Sequence, residues 1–345
     1  MNIVVAGGAG FIGSAFVRRR LAQTADRLVV LDKLTYAGSR ANLATVEADR
    51  ATAPRFRFVE GDIADARVVG PLVAEADAVV NFAAESHVDR SILDAEAFLR
   101  TGVIGVHVLL EAVRRRQAVS SCRFLQVSTD EIYGPLETGY SREDDPPNPR
   151  SPYAAAKAAG EMLARAYATT HGLDVIITRG ANTYGPYQHP EKLIPLFITN
   201  AIADEPLPLY GDGLQERDWI FVDDHADAVG FVLDHGAPGE AYNVPGASSR
   251  TNREVTEHIL AELGKPWDLV RSVRDRPGHD RRYAMDGSKL QALGWRCRVP
   301  FEEGLPATIR WFAANRDWWT AAKSGEWHDY YRRQYAHRLA ESVRA

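Results

Sequence analysis

The chain has 345 residues, 45% hydrophobic and 25% charged, the balance of a soluble globular enzyme long enough for one large or two modest domains. Its net charge of −5 at pH 7 argues against nucleic acid or an anionic membrane as the main partner. Only two cysteines occur, Cys122 and Cys297, with neither metal-ligand spacing nor a disulfide framework, so no metal is expected and a reducing compartment is.

The N-terminal "MNIVVAGGAGFIG" lacks a basic region and a small-residue cleavage site, and no apolar run approaches the ~18 residues of a membrane span, so the cytosol is the expected location. Strand-like runs follow in order at 2–6, 28–32, 55–62, 78–84, 123–129 and 174–179. Helical stretches lie between them at 11–23, 93–116 and 151–171. This alternation predicts an α/β fold, a Rossmann-type doubly wound parallel sheet with helices on both faces. The rhythm changes near Tyr184. The stretch 185–217 reads as loop, with Pro186, Pro190, Pro195, Pro206 and Pro208. A strand and helix are expected at 219–233 and a strand at 241–244. We therefore expect a nucleotide-binding domain over 1–184, to which 218–242 returns. A smaller, partly interleaved substrate domain is expected over 185–345.

Gly7, Gly10 and Gly13 follow the first strand and open a helix. Such a loop lets a pyrophosphate approach the backbone and the positive end of the helix. Asp32 ends the second strand about 20 residues later, placed to hold ribose hydroxyls and repel a 2′-phosphate, so NAD is favoured over NADP, with Lys33 as a contrary sign. Asp62 ends the third strand and reads equally as an adenine contact or a turn residue. Tyr153 and Lys157 stand four apart, on one helix face, after Ser151 as cap and Pro152 as first residue. An adjacent ammonium favours phenolate and lowers a pKa of ~10. Asp130 and Glu131 adjoin just after a strand ending in Ser128 and Thr129. Alone they read as a solvated loop. Neighbours in a strand face opposite ways, so the backbone must turn here if both are to reach one ligand.

With the glycine loop and the hydroxyl-bearing strand end, the Tyr-Lys pair resembles the extended short-chain dehydrogenase/reductase family acting on nucleotide sugars. "STDEIYG" is similar to the dTDP-glucose 4,6-dehydratases, as are "LDKLTYAG", "AAESHVDRSI", "SPYAAAKAA", "YGPYQHPEKLIPLF", "LYGDGLQERDWIFVDDHA" and "DRPGHDRRYA", nearly end to end and in order. The resemblance implies dehydration of dTDP-glucose to a 4-keto-6-deoxy sugar for deoxysugar biosynthesis, with NAD recycled. Tyr153 with Lys157 would oxidise C4, Thr129 hydrogen-bond its oxygen, Glu131 take the C5 proton and Asp130 protonate the C6 hydroxyl. It implies cofactor contacts at Gly7, Gly10, Phe11, Ile12, Gly13, Asp32, Lys33, Leu34, Thr35, Asp62, Ile63, Phe82, Ala83, Ala84, Ser86, Thr101, Tyr153 and Lys157. Substrate contacts would be Ser86 and Thr129 at the hexose, with Asn182, Lys192 and Leu193 on the nucleotide sugar. Pro208 and Tyr210 would lie at the base, Arg217, Arg276 and His279 at diphosphate and ribose, and Asn252 and Tyr335 beside them. A homodimer joined through 93–116 and 151–171 is also implied.

Departures from the family pattern are Gly102 in place of asparagine, Pro245 in place of glycine, the string "RGAN", and a short acidic, proline-rich 135–150. The alternatives are a UDP-sugar dehydratase, an epimerase or decarboxylase of nucleotide sugars, and a non-catalytic NAD-binding protein. The Asp-Glu pair separates dehydratase from epimerase; thymine and uracil are not separated.

Overall fold

The computed structural model describes residues 1–276, 278–341 and 343–344. Six strands alternate with helices through the first half: β1 Asn2–Ala6, β2 Arg27–Asp32, β3 Phe56–Glu60, β4 Ala78–Asn81, β5 Arg123–Thr129 and β6 Val175–Gly180. The later strands are β7 Asn182–Tyr184, β8 Leu207–Tyr210, β9 Glu216–Phe221, β10 Ala241–Val244, β11 Ser248–Thr251, β12 Val270–Val273 and β13 Val343–Arg344. The large sheet runs β10-β6-β5-β4-β1-β2-β3, parallel at every pairing. Strand order reverses between β1 and β4, which opens a crevice at their carboxyl ends.

Apolar side chains cover both faces of this sheet, as parallel strands require. One face packs Val5, Val30, Leu125 and Ile176 against the helices Phe11–Gln23 and Val222–His235. The other packs Val4, Leu31, Phe124 and Ile177 against Val106–Gln117 and its neighbours. A third core, around Tyr184, Phe197, Ile259 and Phe312, belongs to the smaller layer. Two three-stranded sheets frame that layer, β11-β9-β7 and β13-β12-β8.

The chain crosses between layers several times. Helix Val222–His235 packs on Phe11–Gln23 and β10 adds to the large sheet beside β6, but β9 lies in a small sheet with β7. Met285, Leu290 and Trp295, far beyond residue 242, also fill the core of the large sheet. Two expectations need correcting. The helix expected over 93–116 is broken at Asp94, whose carboxylate accepts from Glu96 N, and continues through a π-helical segment, Arg100–Gly105, into Val106–Gln117. The expected loop 185–217 holds a buried helix, Leu193–Ile202, and β8. Pro195 lies in that helix's first turn, where a missing N–H costs nothing.

Candidate active site

A cavity of about 370 Å³ lies at the carboxyl ends of the parallel strands, between the large sheet and the smaller layer. At one end is the glycine loop. Gly7 has φ 74°, and a Cβ there would stand 2.5 Å from Ala83 N, so the loop presses directly on the backbone after β4. Gly10 starts the helix Phe11–Gln23, whose N-terminus has no side-chain cap and no acidic residue in its first turn. The first turn of that helix therefore supplies no carboxylate of its own to these N–H groups. Asp32 is buried and accepts from Ala9 N (3.0 Å) and Leu34 N (2.9 Å); burial raises its pKa. Lys33 is already engaged, 3.1 Å from Glu85 and 3.2 Å from Thr101 Oγ1, which removes the contrary sign at that position. A glycine cradle, a free helix N-terminus and a buried acceptor carboxylate fit a dinucleotide.

Most of the expected cofactor residues line this cavity, but Leu34 and Asp62 do not. Leu34 has φ 53° and packs against the large-sheet core, contributing its N–H to Asp32. Asp62 accepts from Ala64 N (2.8 Å) and lies 3.8 Å from Arg100, which fits its turn reading and leaves the adenine contact a proposal.

Thr129, Asp130, Glu131, Tyr153 and Lys157 line the other end together. The strand stops at Thr129, and Asp130–Tyr133 form one 3-10 turn capped by the Thr129 hydroxyl, which accepts from Glu131 N. This turn resolves the problem of facing, because both carboxylates now look into one cavity. Their environments differ. Burial and then the charge of Glu131 push Asp130 up to about 8, so it holds its proton at neutral pH. Burial also raises Glu131, but Arg276, Lys192 and Arg217 all pull it down. Burial raises both groups, and the cations that oppose it at Glu131 outnumber the one, Arg217, that opposes it at Asp130.

Ser151 caps the helix Pro152–His171 through Ala154 N (3.1 Å), with Pro152 as its first residue. This presents Tyr153 and Lys157 on one face. The expected lowering of the tyrosine is not what the protein's own groups produce. Burial first, then Glu131 and Asp130, raise it, and only a hydrogen bond with Thr129 lowers it. Lys157 instead donates to Val127 O (2.5 Å), and burial lowers it to about 8.

All twelve residues expected on the substrate side line the cavity. Lys192 donates to Ser86 O (2.5 Å), and Arg217 donates to the carbonyls of Glu216 (2.7 Å) and Asp280 (2.9 Å). Arg276 pairs with Asp89 (2.8 Å), yet its buried Nε has no partner among the described residues. Asn182 Oδ1 is likewise buried and unpartnered. Tyr335 stacks on Tyr210, and His279 meets Asp275 (2.5 Å). Three cations around a cavity with an unused guanidinium donor suit a diphosphate. Of the segment Asp275–Asp280, Pro277, which was expected to shape it, lies outside the described residues.

Several lining residues were missed. Asp89 accepts from Arg276, Tyr210 and Gln334, each at 2.8 Å. Although burial opposes it, His87, Arg276 and these donors lower Asp89 to about 2. Glu191, beside Lys192, is raised by burial to about 7 while bonded to Arg90. His225 is buried under the cavity and lowered by burial to about 4, its Nδ1 2.7 Å from Thr183 Oγ1. Asp89 and Glu191 lie inside the quoted strings "AAESHVDRSI" and "YGPYQHPEKLIPLF", but nothing near them in sequence announces a distant arginine. Two departures have structural partners. Gly102 lies 3.2 Å, measured from a Cβ placed there, from Ala156 of the helix Pro152–His171, and Pro245 fills the space over Gly287.

A seven-stranded Rossmann sheet, its glycine loop and a Tyr-Lys helix facing one cavity define a dehydrogenase/reductase-type enzyme. The chain belongs to the GDP-mannose 4,6 dehydratase family, whose sequence model matches residues 4–308. It is 50% identical over 330 residues to a dTDP-glucose 4,6-dehydratase of Streptomyces niveus, covering 94% of this chain and 96% of that one. The crystal structure of DesIV, a dTDP-glucose 4,6-dehydratase of Streptomyces venezuelae with NAD and a second ligand bound, matches with a TM-score of 0.90 and 51% identity over 94% of this chain and all of that one. A UDP-glucose 4-epimerase of Thermus thermophilus, complexed with NAD, matches with a TM-score of 0.83 and 32% identity over 91% of this chain and all of that one.

Proposed function

We propose that the protein converts dTDP-glucose to dTDP-4-keto-6-deoxyglucose, with NAD as a recycled cofactor. The observation that carries this reading is the turn Asp130–Tyr133, which aims a proton-holding carboxyl and a cation-flanked carboxylate into the cavity that Tyr153 and Lys157 also face. An epimerase needs the tyrosine and lysine but has no use for that pair.

Gly7, Gly10, Gly13, Asp32 and Thr101 would hold NAD. When bound, NAD supplies a hydride acceptor for C4 and a hydride donor for C6 of the same sugar. Tyr153 takes the C4 hydroxyl proton, and Thr129 hydrogen-bonds that oxygen. The C4 carbonyl acidifies the C5 hydrogen, and Glu131 removes it. Asp130 gives its proton to the departing C6 hydroxyl, so water leaves. Glu131 then returns a proton to C5. Protons and electrons balance within the turnover, and the net change is loss of one water. Lys192, Arg217 and Arg276 hold the diphosphate and oppose the rise that burial gives Glu131.

The thymine base is favoured by the similarity to dTDP-glucose enzymes. Separate incubations with dTDP-glucose and UDP-glucose, followed for a 4-keto-6-deoxy product, test it: product from the first far exceeding the second is expected, and the reverse would overturn the base assignment.

The protein acts as a homodimer in the cytosol. Leu93, Leu99, Ile104 and Met162 are exposed on the segments expected to pair, an apolar face that water does not favour. Cytosolic placement rests on the two free thiols; among the described residues, no helix is long and apolar enough to cross a membrane. Light scattering at micromolar concentration should give twice the chain mass, and a monomer mass would refute the pairing.

A further inference from the structure

The turn that carries Asp130 and Glu131 ends on Tyr133, whose side chain leaves the cavity and enters the core. Its hydroxyl donates to Asn243 Oδ1 (2.7 Å) and accepts from Arg179 Nη1 (2.5 Å). The Arg179 guanidinium also lies over the Tyr133 ring, 4.8 Å from its centre. Arg179 grips Glu161 through Nε to Oε2 (3.1 Å) and through Nη2 to Oε1. Glu161 belongs to the helix Pro152–His171, four residues beyond Lys157 and eight beyond Tyr153. On a helix those three positions share a face. Asn243 extends the network to two further segments, donating to Ser141 O (3.0 Å) and Asp286 O (3.1 Å).

Arg179, Glu161 and Asn243 are at most 1% exposed, and each of the four side chains finds its partners inside the protein. A buried ion pair adds little net stability, because desolvation offsets attraction, and apolar residues of similar size often serve as well. Its rigidity is another matter. The network is a fully satisfied polar strut whose two ends carry the two halves of the chemistry: the oxidation pair on the helix and the elimination pair on the turn.

We infer that Tyr133 is a positioning residue for water elimination, its hydroxyl fixing the Asp130–Glu131 turn relative to the helix of Tyr153 and Lys157. This rests on the dehydratase reading above. Misplacing reacting groups by about 1 Å can cost ~10²-fold. Removing the Tyr133 hydroxyl frees the turn but leaves the oxidation helix in place, so the two half-reactions separate.

The test uses the full-length protein loaded with NAD and Tyr133→Phe, which keeps the ring under Arg179. Elimination, read as product formation and as solvent deuterium entering C5, should slow about 10–100-fold with KM little changed. C4 oxidation, read as bound reduced cofactor in a single turnover, should persist, so that species accumulates. Asn243→Leu, which removes the acceptor of the same hydroxyl, should give the same signature and serves if Tyr133→Phe does not fold. Parental turnover in the folded variant overturns the inference, and so does equal loss of both half-reactions with a lowered Tm, the mark of a merely structural role. A parent enzyme that forms no product overturns the functional reading and this inference together; a productive parent matched by its variant overturns this inference alone.

Discussion

Asp130 and Glu131 differ by one methylene, and their division of labour comes from what surrounds them. Asp130 meets Glu131's charge in a buried corner, whereas Glu131 meets Arg217, Arg276 and Lys192. The pair's place after a strand was legible in the sequence, but alone it read as a solvated loop, and only the likeness of "STDEIYG" to the dehydratases marked it. The division was not legible, because it depends on cations 60 to 145 residues further along the chain. Tyr153 shows the opposite outcome: its spacing from Lys157 was legible, but burial and then the two carboxylates raise it. A consequence for pH follows from Asp130. Its folded pKa, about 8, lies above the ordinary value of 3.8, so folded protein keeps a proton that unfolded protein has lost. The stability linked to that proton is full below the ordinary value and is lost as pH rises through about 8. Asp130→Asn has no such titration, so its Tm relative to the parent should rise steadily between about pH 5 and pH 8. Parental turnover should also fall as pH rises through about 8, where the acid is deprotonated. A Tm difference independent of pH would show that Asp130 is already ionised in the folded protein.

At the level of elements, the parallel sheet was readable because each strand is a short β-branched run followed by a helix. Some boundaries held, as at 2–6, 11–23 and 123–129, others moved by up to three residues, and the errors have physical causes. Apolar periodicity continues through 93–116, but Asp94 bonds locally and interrupts the helix, as short polar side chains do. The π-helical segment after it carries Thr101 into the cavity and Gly102 against the Tyr-Lys helix, where such segments often serve a site. The prolines of 185–217 suggested loop, although Pro195 is harmless in a first turn. Gly102 and Gly160 both lie in a close crossing: a Cβ on Gly102 would stand 3.2 Å from Ala156, and a Cβ on Gly160 would stand 2.5 Å from Gly102 O. Gly160→Leu should therefore push the two helical segments apart and cost about 1–3 kcal/mol of stability, read as a lower midpoint in urea. An unchanged midpoint would mean the crossing has room to spare.

Across the whole molecule, the large sheet supplies the dinucleotide cradle and the oxidation pair, while the smaller layer supplies the cations. The two meet because the chain crosses between them, through β7 and β9 on one side and Val222–His235 and β10 on the other. Asp89 marks the join: it stands on the large-sheet side and holds Arg276, Tyr210 and Gln334 of the other layer. Such a layout lets one bound sugar be oxidised, dehydrated and reduced without leaving, so no external oxidant is needed. The central claim is that oxidation and elimination share one cavity but use different residues. Glu131→Gln in the NAD-loaded protein, mixed with dTDP-glucose, tests it most directly. Reduced cofactor and a 4-keto sugar should accumulate on the enzyme, solvent deuterium should enter C5 far more slowly, and 4-keto-6-deoxy product should fall by ~10²–10⁴-fold. Product formed at near-parental rate, with no reduced cofactor building up, would contradict it.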